Sequence, residues 1–218
     1  MNLEYGHIYH IYNQGNNKQK IFFQRENYLF FLKKINEYIT PFGDVVAWCL
    51  MPNHFHLMVY ITHQTATHQT ATHQMTPSHL MSDQPINNSI AVMLRSYTRA
   101  INIQENRSGS LFKPRTKAEC VTKSQGITPS FINSNQGAII HVPIPEKEYP
   151  QVCFHYIHNN PVKANLVNKP EDWEFSSFRD YCGLRNGKLI KRERAKEFGL
   201  TIVHFDSSDD LESSDNRE

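Results

Sequence analysis

His54 and His56 are separated by one residue inside an otherwise apolar stretch, Trp48-Cys49-Leu50-Met51-Pro52-Asn53-His54-Phe55-His56-Leu57-Met58-Val59-Tyr60. Side chains alternate along a strand, so both imidazoles share one face while Phe55, Leu57 and Val59 take the other. At a rise of about 3.3 Å per residue their Cβ atoms stand roughly 6.5 to 7 Å apart, which lets both bind a single cation. Surface histidines on a half-exposed strand have the same spacing, but the hydrophobic residues on both sides weigh against that reading. Far downstream, Tyr156 and Asn160 lie four residues apart, which on a helix turns both side chains the same way. A tyrosine packed in a core at an ordinary position obeys the same pattern.

These residues need elements to carry them. The Pro52-Asn53 pair between two apolar runs predicts two strands joined by a tight turn. Before them, Gly6 to Asn13 is β-branched and aromatic and ends at Gly15-Asn16-Asn17, a first strand and turn. From Glu26 to Ile39 the residues Tyr28, Phe31, Leu32, Ile35, Tyr38 and Ile39 recur at helical spacing, and Pro41-Phe42-Gly43 stops the helix. The order is β-α-β-β. Asn88 to Ile103 is a second helix with Ile90, Met93, Leu94, Tyr97 and Ile101 on one stripe and Arg95 and Arg99 off it. Gly109 to Ala118, carrying Lys113, Arg115 and Lys117, reads as a turn into a short basic strand. Tyr149 to Asn160 is a third helix that Pro161 is expected to end. Lys188 to Lys196 has the pattern of an amphipathic surface helix.

Two stretches break the rhythm. Residues 62–85 contain the period-five repeat Thr-His-Gln-Thr-Ala, and residues 121–145 hold scattered Gly and Pro; both read as flexible insertions. Residues 206–218 carry six acids and one arginine, net −5, and since the whole chain carries +2, residues 1–205 carry +7. A basic body suits a polyanionic partner, and the tail, low in apolar content, is expected to be disordered. We therefore divide the chain into a domain over 1–182, a basic segment over 183–204 and an acidic tail over 205–218. Cys49, Cys120, Cys153 and Cys182 are widely spaced and form no Cys-x-x-Cys, which argues against a zinc knuckle or a disulfide framework. No apolar run reaches 18 residues and no secretory signal opens the chain, so a cytoplasmic protein is expected.

Five motifs occur in order: Met51-Pro52-Asn53-His54-Phe55-His56-Leu57, Tyr97-Thr98, Gly109-Ser110-Leu111-Phe112, Tyr156-Ile157-His158-Asn159-Asn160-Pro161-Val162-Lys163-Ala164 and Trp173-Glu174-Phe175-Ser176-Ser177-Phe178. Together they resemble the REP-associated tyrosine transposases, single-tyrosine nucleases of the His-hydrophobic-His (HUH) type, over most of residues 5–182. The resemblance implies an α+β fold, a ferredoxin-like antiparallel sheet flanked by helices. It also implies that His54 and His56 hold a divalent metal, Mg²⁺ or Mn²⁺, that Asn160 is a further ligand, and that Tyr156 is the nucleophile. The expected substrate is single-stranded or hairpin DNA, in a bacterial, nucleoid-associated homodimer. Arg95, Arg99, Lys113, Arg115, Lys117 and Lys163 are candidate DNA contacts.

That chemistry is coherent. A phosphodiester repels a nucleophile, so a cation on its non-bridging oxygens and a positioned phenol oxygen are both needed. Imidazole with an amide oxygen accommodates Mg²⁺ and suits Mn²⁺ better. Attack would leave a 5′-phosphotyrosine and a free 3′-OH, and the retained bond energy permits rejoining. A histidine-triad nucleotide hydrolase would need a third alternating histidine, and Met58 stands in that place. A catalytically silent hairpin-binding protein is the second reading, and an adduct assay separates it from the enzyme.

Overall fold

The computed structural model describes residues 1–62, 85–123 and 148–202. The two insertions and the acidic tail lie, apart from their margins, outside the described residues. Strand β1 (Ile8–Gln14) leads to helix α1 (Arg25–Tyr38), then β2 (Gly43–Met51) and β3 (His54–Ile61) form a hairpin, followed by α2 (Pro85–Gln104) and β4 (Lys117–Cys120). The strands make one antiparallel sheet in the order β2-β3-β1-β4, the α+β arrangement expected for the ferredoxin-like class. Helix α3 (Tyr149–Lys163) and two short helices, α4 (Phe178–Tyr181) and α5 (Arg192–Glu197), complete it.

Strand alternation decides which face each residue serves. Phe55, Leu57 and Val59 of β3 and Tyr9 and Ile11 of β1 pack with Phe31 and Ile35 of α1 and Ile90, Met93 and Tyr97 of α2. Ile8 and Met58 face the other way, into a cluster with Cys153, Phe154 and Ile157 of α3. The sheet is therefore covered on both faces, α1 and α2 on one and α3 on the other. The buried Asn27 Oδ1 accepts the backbone N–H groups of Phe23 and Gln24 at the start of α1, satisfying donors that a helix N-terminus leaves open. Its Nδ2 donates to Gln104 Oε1 at 2.8 Å, tying α1 to the end of α2.

The turn that delivers His54 is clamped from outside the hairpin. Gly15 N–H donates to Asn53 O at 2.8 Å and Ile21 N–H to Pro52 O at 2.8 Å, while the buried Tyr97 hydroxyl holds Ile21 O at 2.7 Å. A Cβ on Gly15 would lie 2.1 Å from the Gln19 carbonyl oxygen, so only glycine lets the chain pass this close.

Several element boundaries differ from the sequence-based expectation: α2 begins at Pro85 rather than Asn88, β4 holds Lys117 but not Lys113 or Arg115, and two further differences bear on the site. Helix α3 runs through Pro161 to Lys163 rather than ending at Asn160. In the last turn the proline removes one N–H, and the ladder resumes with Ala164 N–H donating to Asn160 O at 3.0 Å. The helix expected over Lys188–Lys196 spans only Arg192–Glu197. Its first part is extended because Ile190 bridges to Val45 and Lys191 N–H donates to Val45 O at 2.9 Å, covering backbone along β2. The Trp173–Phe178 segment meets β2 as well: Leu50 N–H donates to Phe175 O, Ser177 N–H to Trp48 O, and Trp48 N–H to Ser177 Oγ, each at 2.9 Å. The same Ser177 Oγ meets His158 Nε2 of α3 at 2.7 Å, so this motif fixes the helix that carries Tyr156.

Candidate active site and basic groove

Three elements bring the candidate site together on the α3 face of the sheet. β3 supplies His54 and His56, β1 supplies His10 and Tyr12, and α3 supplies Tyr156 and Asn160. In the β1–β3 register Tyr12 stands opposite His56 and Gln14 opposite His54. The His54 and His56 rings are 4.9 Å apart between centroids at 85°, and Tyr156 stands edge-on to His56 at 5.4 Å.

Asn160 is the hub. Its Oδ1 lies 3.3 Å from His54 Nε2 and its Nδ2 3.4 Å from His56 Nε2. Burial raises the Tyr156 phenol above its ordinary range, and a side-chain hydrogen bond with Asn160 opposes that shift. Burial likewise lowers His54, against a hydrogen bond with Asn160 that raises it, and lowers His56 well below its usual value, with the neighbouring His10 and His54 adding to the effect. Both imidazoles are thus held in the neutral form that ligates metals.

The donor set fits a divalent cation. The Asn160 amide reaches both imidazoles, its oxygen facing His54 Nε2 and its nitrogen His56 Nε2, and imidazole with an amide oxygen is a mixture that suits Mn²⁺ by ligand type and accommodates Mg²⁺. Among the described residues no group of three or more His, Cys, Asp or Glu side chains is arranged for a metal, so any such site depends on the Asn160 amide.

The six basic residues singled out from the sequence divide between two places. Lys163 Nζ lies 5.3 Å from the centre of the Tyr156 ring, and Lys117 Nζ 5.8 Å from that of Tyr12, so both border the His-Tyr cluster. Arg95, Arg99 and Lys113 line a groove of about 860 Å³ between α2 and the segment before β4, joined there by Arg107, Asn13 and Phe112. Among the described residues no Asp or Glu lines it. Arg115 is exposed between two residues of its wall, Pro114 and Thr116. Groove and cluster back onto each other through β1: Asn13 points into the groove, and its neighbour Tyr12 points towards His56, at 5.8 Å between ring centres.

His10, Tyr12 and Glu119 escaped the reading of the sequence. His10 is fully buried, with Nε2 2.8 Å from His56 Nδ1, and burial lowers it to about 3. Tyr12 hydroxyl donates to Glu119 Oε1 at 2.7 Å, and Glu119 is the cross-strand neighbour of His10. His10 and Tyr12 share parity within β1, which was visible; that β1 pairs directly with β3 was not.

No protein-family model matches the chain and no curated protein sequence is similar to it. Among solved structures, the chain is similar to a REP-associated tyrosine transposase bound to a REP hairpin, with 16% sequence identity and a TM-score of 0.51 over 84% of this chain and 83% of that one. The similarity is one of fold: the chain shares the mixed architecture of that transposase, a four-stranded antiparallel sheet flanked by helices.

Proposed function

We propose that the chain is a metal-dependent single-stranded DNA nuclease and strand transferase that acts through Tyr156 on hairpin-bearing DNA. One observation carries the reading: the Asn160 side chain is within reach of both histidine Nε2 atoms, and the Tyr156 ring stands edge-on to His56 at 5.4 Å, so candidate ligands and nucleophile meet around one residue. The groove supports a polyanionic partner, because among the described residues four cations with no carboxylate beside them form a surface for a phosphate backbone. The solved transposase with the similar fold was bound to a REP hairpin.

His54, His56 and Asn160 would hold a Mg²⁺ or Mn²⁺ ion, which supplies positive charge to the scissile phosphate when bound. The chain's own groups do the rest. Burial keeps the phenol protonated at rest, so its proton leaves as the bond forms. Tyr156 Oη forms a bond to phosphorus, the bond from phosphorus to the 3′-oxygen breaks, and that oxygen takes up a proton to become the free 3′-OH. The strand then remains attached through a 5′-phosphotyrosine, and attack by a 3′-OH reverses the step. Lys163 beside the Tyr156 ring and Lys117 at the edge strand would hold the backbone of the incoming strand. A single nucleophile makes one cut, so paired cuts would require two copies of the chain.

The test is covalent capture. Hairpin-bearing single-stranded oligonucleotides incubated with protein and Mn²⁺ should give an adduct stable to denaturation, and Tyr156→Phe should abolish it while retaining hairpin binding. Tight hairpin binding by the wild type with no adduct would establish instead the silent DNA-binding reading.

A further inference from the structure

The contacts made by the far nitrogens of His54 and His56 determine where each ring carries its proton. A neutral imidazole has one N–H, on Nδ1 or on Nε2, and only the nitrogen without it can offer a lone pair to a ligand site. Two ring nitrogens in hydrogen-bond contact share a single proton, one donating and the other accepting. One proton therefore lies in the 2.8 Å contact between His10 Nε2 and His56 Nδ1, and either ring could own it.

One backbone carbonyl decides the ownership, and a second decides where His54 carries its proton. A carbonyl only accepts, so the amide atom facing it must be the donor. Asn160 Nδ2 faces the Tyr156 carbonyl at 3.5 Å, which orients the amide with Nδ2 also towards His56 Nε2 and Oδ1 towards His54 Nε2. His56 Nε2 then meets a donor and must be the bare nitrogen. The ring's proton is on Nδ1 and is donated to His10. On the other side, Asn53 Nδ2 donates to the Lys18 carbonyl at 3.3 Å, which turns Asn53 Oδ1, an acceptor only, towards His54 Nδ1 at 2.6 Å. His54 therefore also carries its proton on Nδ1. In the neutral ring the bare Nε2 faces Asn160 Oδ1 at 3.3 Å, acceptor against acceptor, an arrangement relieved by a cation between them or by protonation of the ring.

We infer that His10 and Asn53 are positioning residues that hold His56 and His54 in the Nδ1–H tautomer, so that both Nε2 lone pairs aim at Asn160 where the metal would sit. The use made of those lone pairs rests on the metal reading of the site; the tautomers do not. Each device comes from a different element: Asn53 from the turn clamped by Gly15 and Ile21, and His10 from the neighbouring strand. His10, with Nε2 accepting, keeps its own proton on Nδ1.

Long-range proton–nitrogen NMR correlation on histidine-labelled protein in EDTA at neutral pH reads the tautomers directly. His54 and His56 should both show protonated Nδ1 and bare Nε2; an Nε2–H signal for His56 would overturn the assignment to His10. Mn²⁺ titration supplies a second readout. His10→Leu removes the acceptor and should release the His56 tautomer and weaken Mn²⁺ binding by roughly 10–100-fold, while His10→Gln, which restores an acceptor oxygen, should recover most of the loss. Equal Mn²⁺ affinity and an unchanged His56 tautomer in His10→Leu would remove the positioning role. If His10→Leu fails to fold, the wild-type tautomers alone decide. Wild-type protein with the expected tautomers but no Mn²⁺ binding would overturn the metal reading and leave the tautomer assignment standing.

Discussion

The buried His158 should make the fold acid-labile by a calculable amount. It lies on α3 with 1% of its surface exposed, edge-on to Phe154 at 4.4 Å and near Phe178 and Tyr181, with Nε2 2.7 Å from Ser177 Oγ. Burial lowers it from 6.5 to about 3, with the neighbouring His155 adding to the effect. A base whose folded pKa is depressed takes up protons preferentially when unfolded, so its contribution is fully present above pH 6.5 and is lost as pH falls towards 3. At about 1.4 kcal/mol per unit, and allowing for partial protonation of the unfolded chain at pH 7, the step from pH 7 to pH 5 costs about 2 kcal/mol. Set against a total stability of roughly 5–15 kcal/mol, that is readily measured. The assay is urea unfolding at both pH values in EDTA, for wild type and for His158→Gln, which retains an N–H donor but does not titrate. Other ionisable groups cancel in the difference, so the wild type should lose about 2 kcal/mol more than the variant over this interval. Identical pH dependence of the two proteins would refute the claim that burial keeps this ring neutral.

Metal removal should act on chemistry and not on folding: EDTA, or His56→Ala, should eliminate adduct formation, and undiminished adduct in excess EDTA would end the metal assignment. The double substitution Arg95→Glu and Arg99→Glu should weaken hairpin binding at every sequence and reduce the slope of log affinity against log salt by about 2 if both arginines contact phosphates; an unchanged slope would take the DNA out of the groove. Gly15→Ala should destabilise the fold by about 1–3 kcal/mol, because its Cβ would press on the Gln19 carbonyl oxygen at 2.1 Å. It should also slow adduct formation through the displaced Asn53 turn, and a neutral effect on both would show that the clamp does not position His54.

Local pattern was enough for the elements and for part of the site. The alternation around His54 and His56, the helical stripes of α1 and α2 and the four-residue step from Tyr156 to Asn160 all depend on neighbours within a turn or a strand, and those expectations agree with the structure. The same local rules failed at Pro161 and over Lys188–Lys191. One missing N–H is tolerated in a last helical turn, and extended chain is favoured where it can cover sheet backbone. What no window of sequence contains is pairing. His10 and His56 are 46 residues apart, and His54 and Asn160 are 106 apart; they meet because β1 lies between β3 and β4 and because Ser177, held against β2, fixes α3 through His158. The division of the basic residues between a groove and a cluster on opposite faces of one strand is of the same kind. Side-chain alternation places Tyr12 and Asn13 on opposite faces in any sheet, but only the packing of α2 on one face and α3 on the other gives those faces different work.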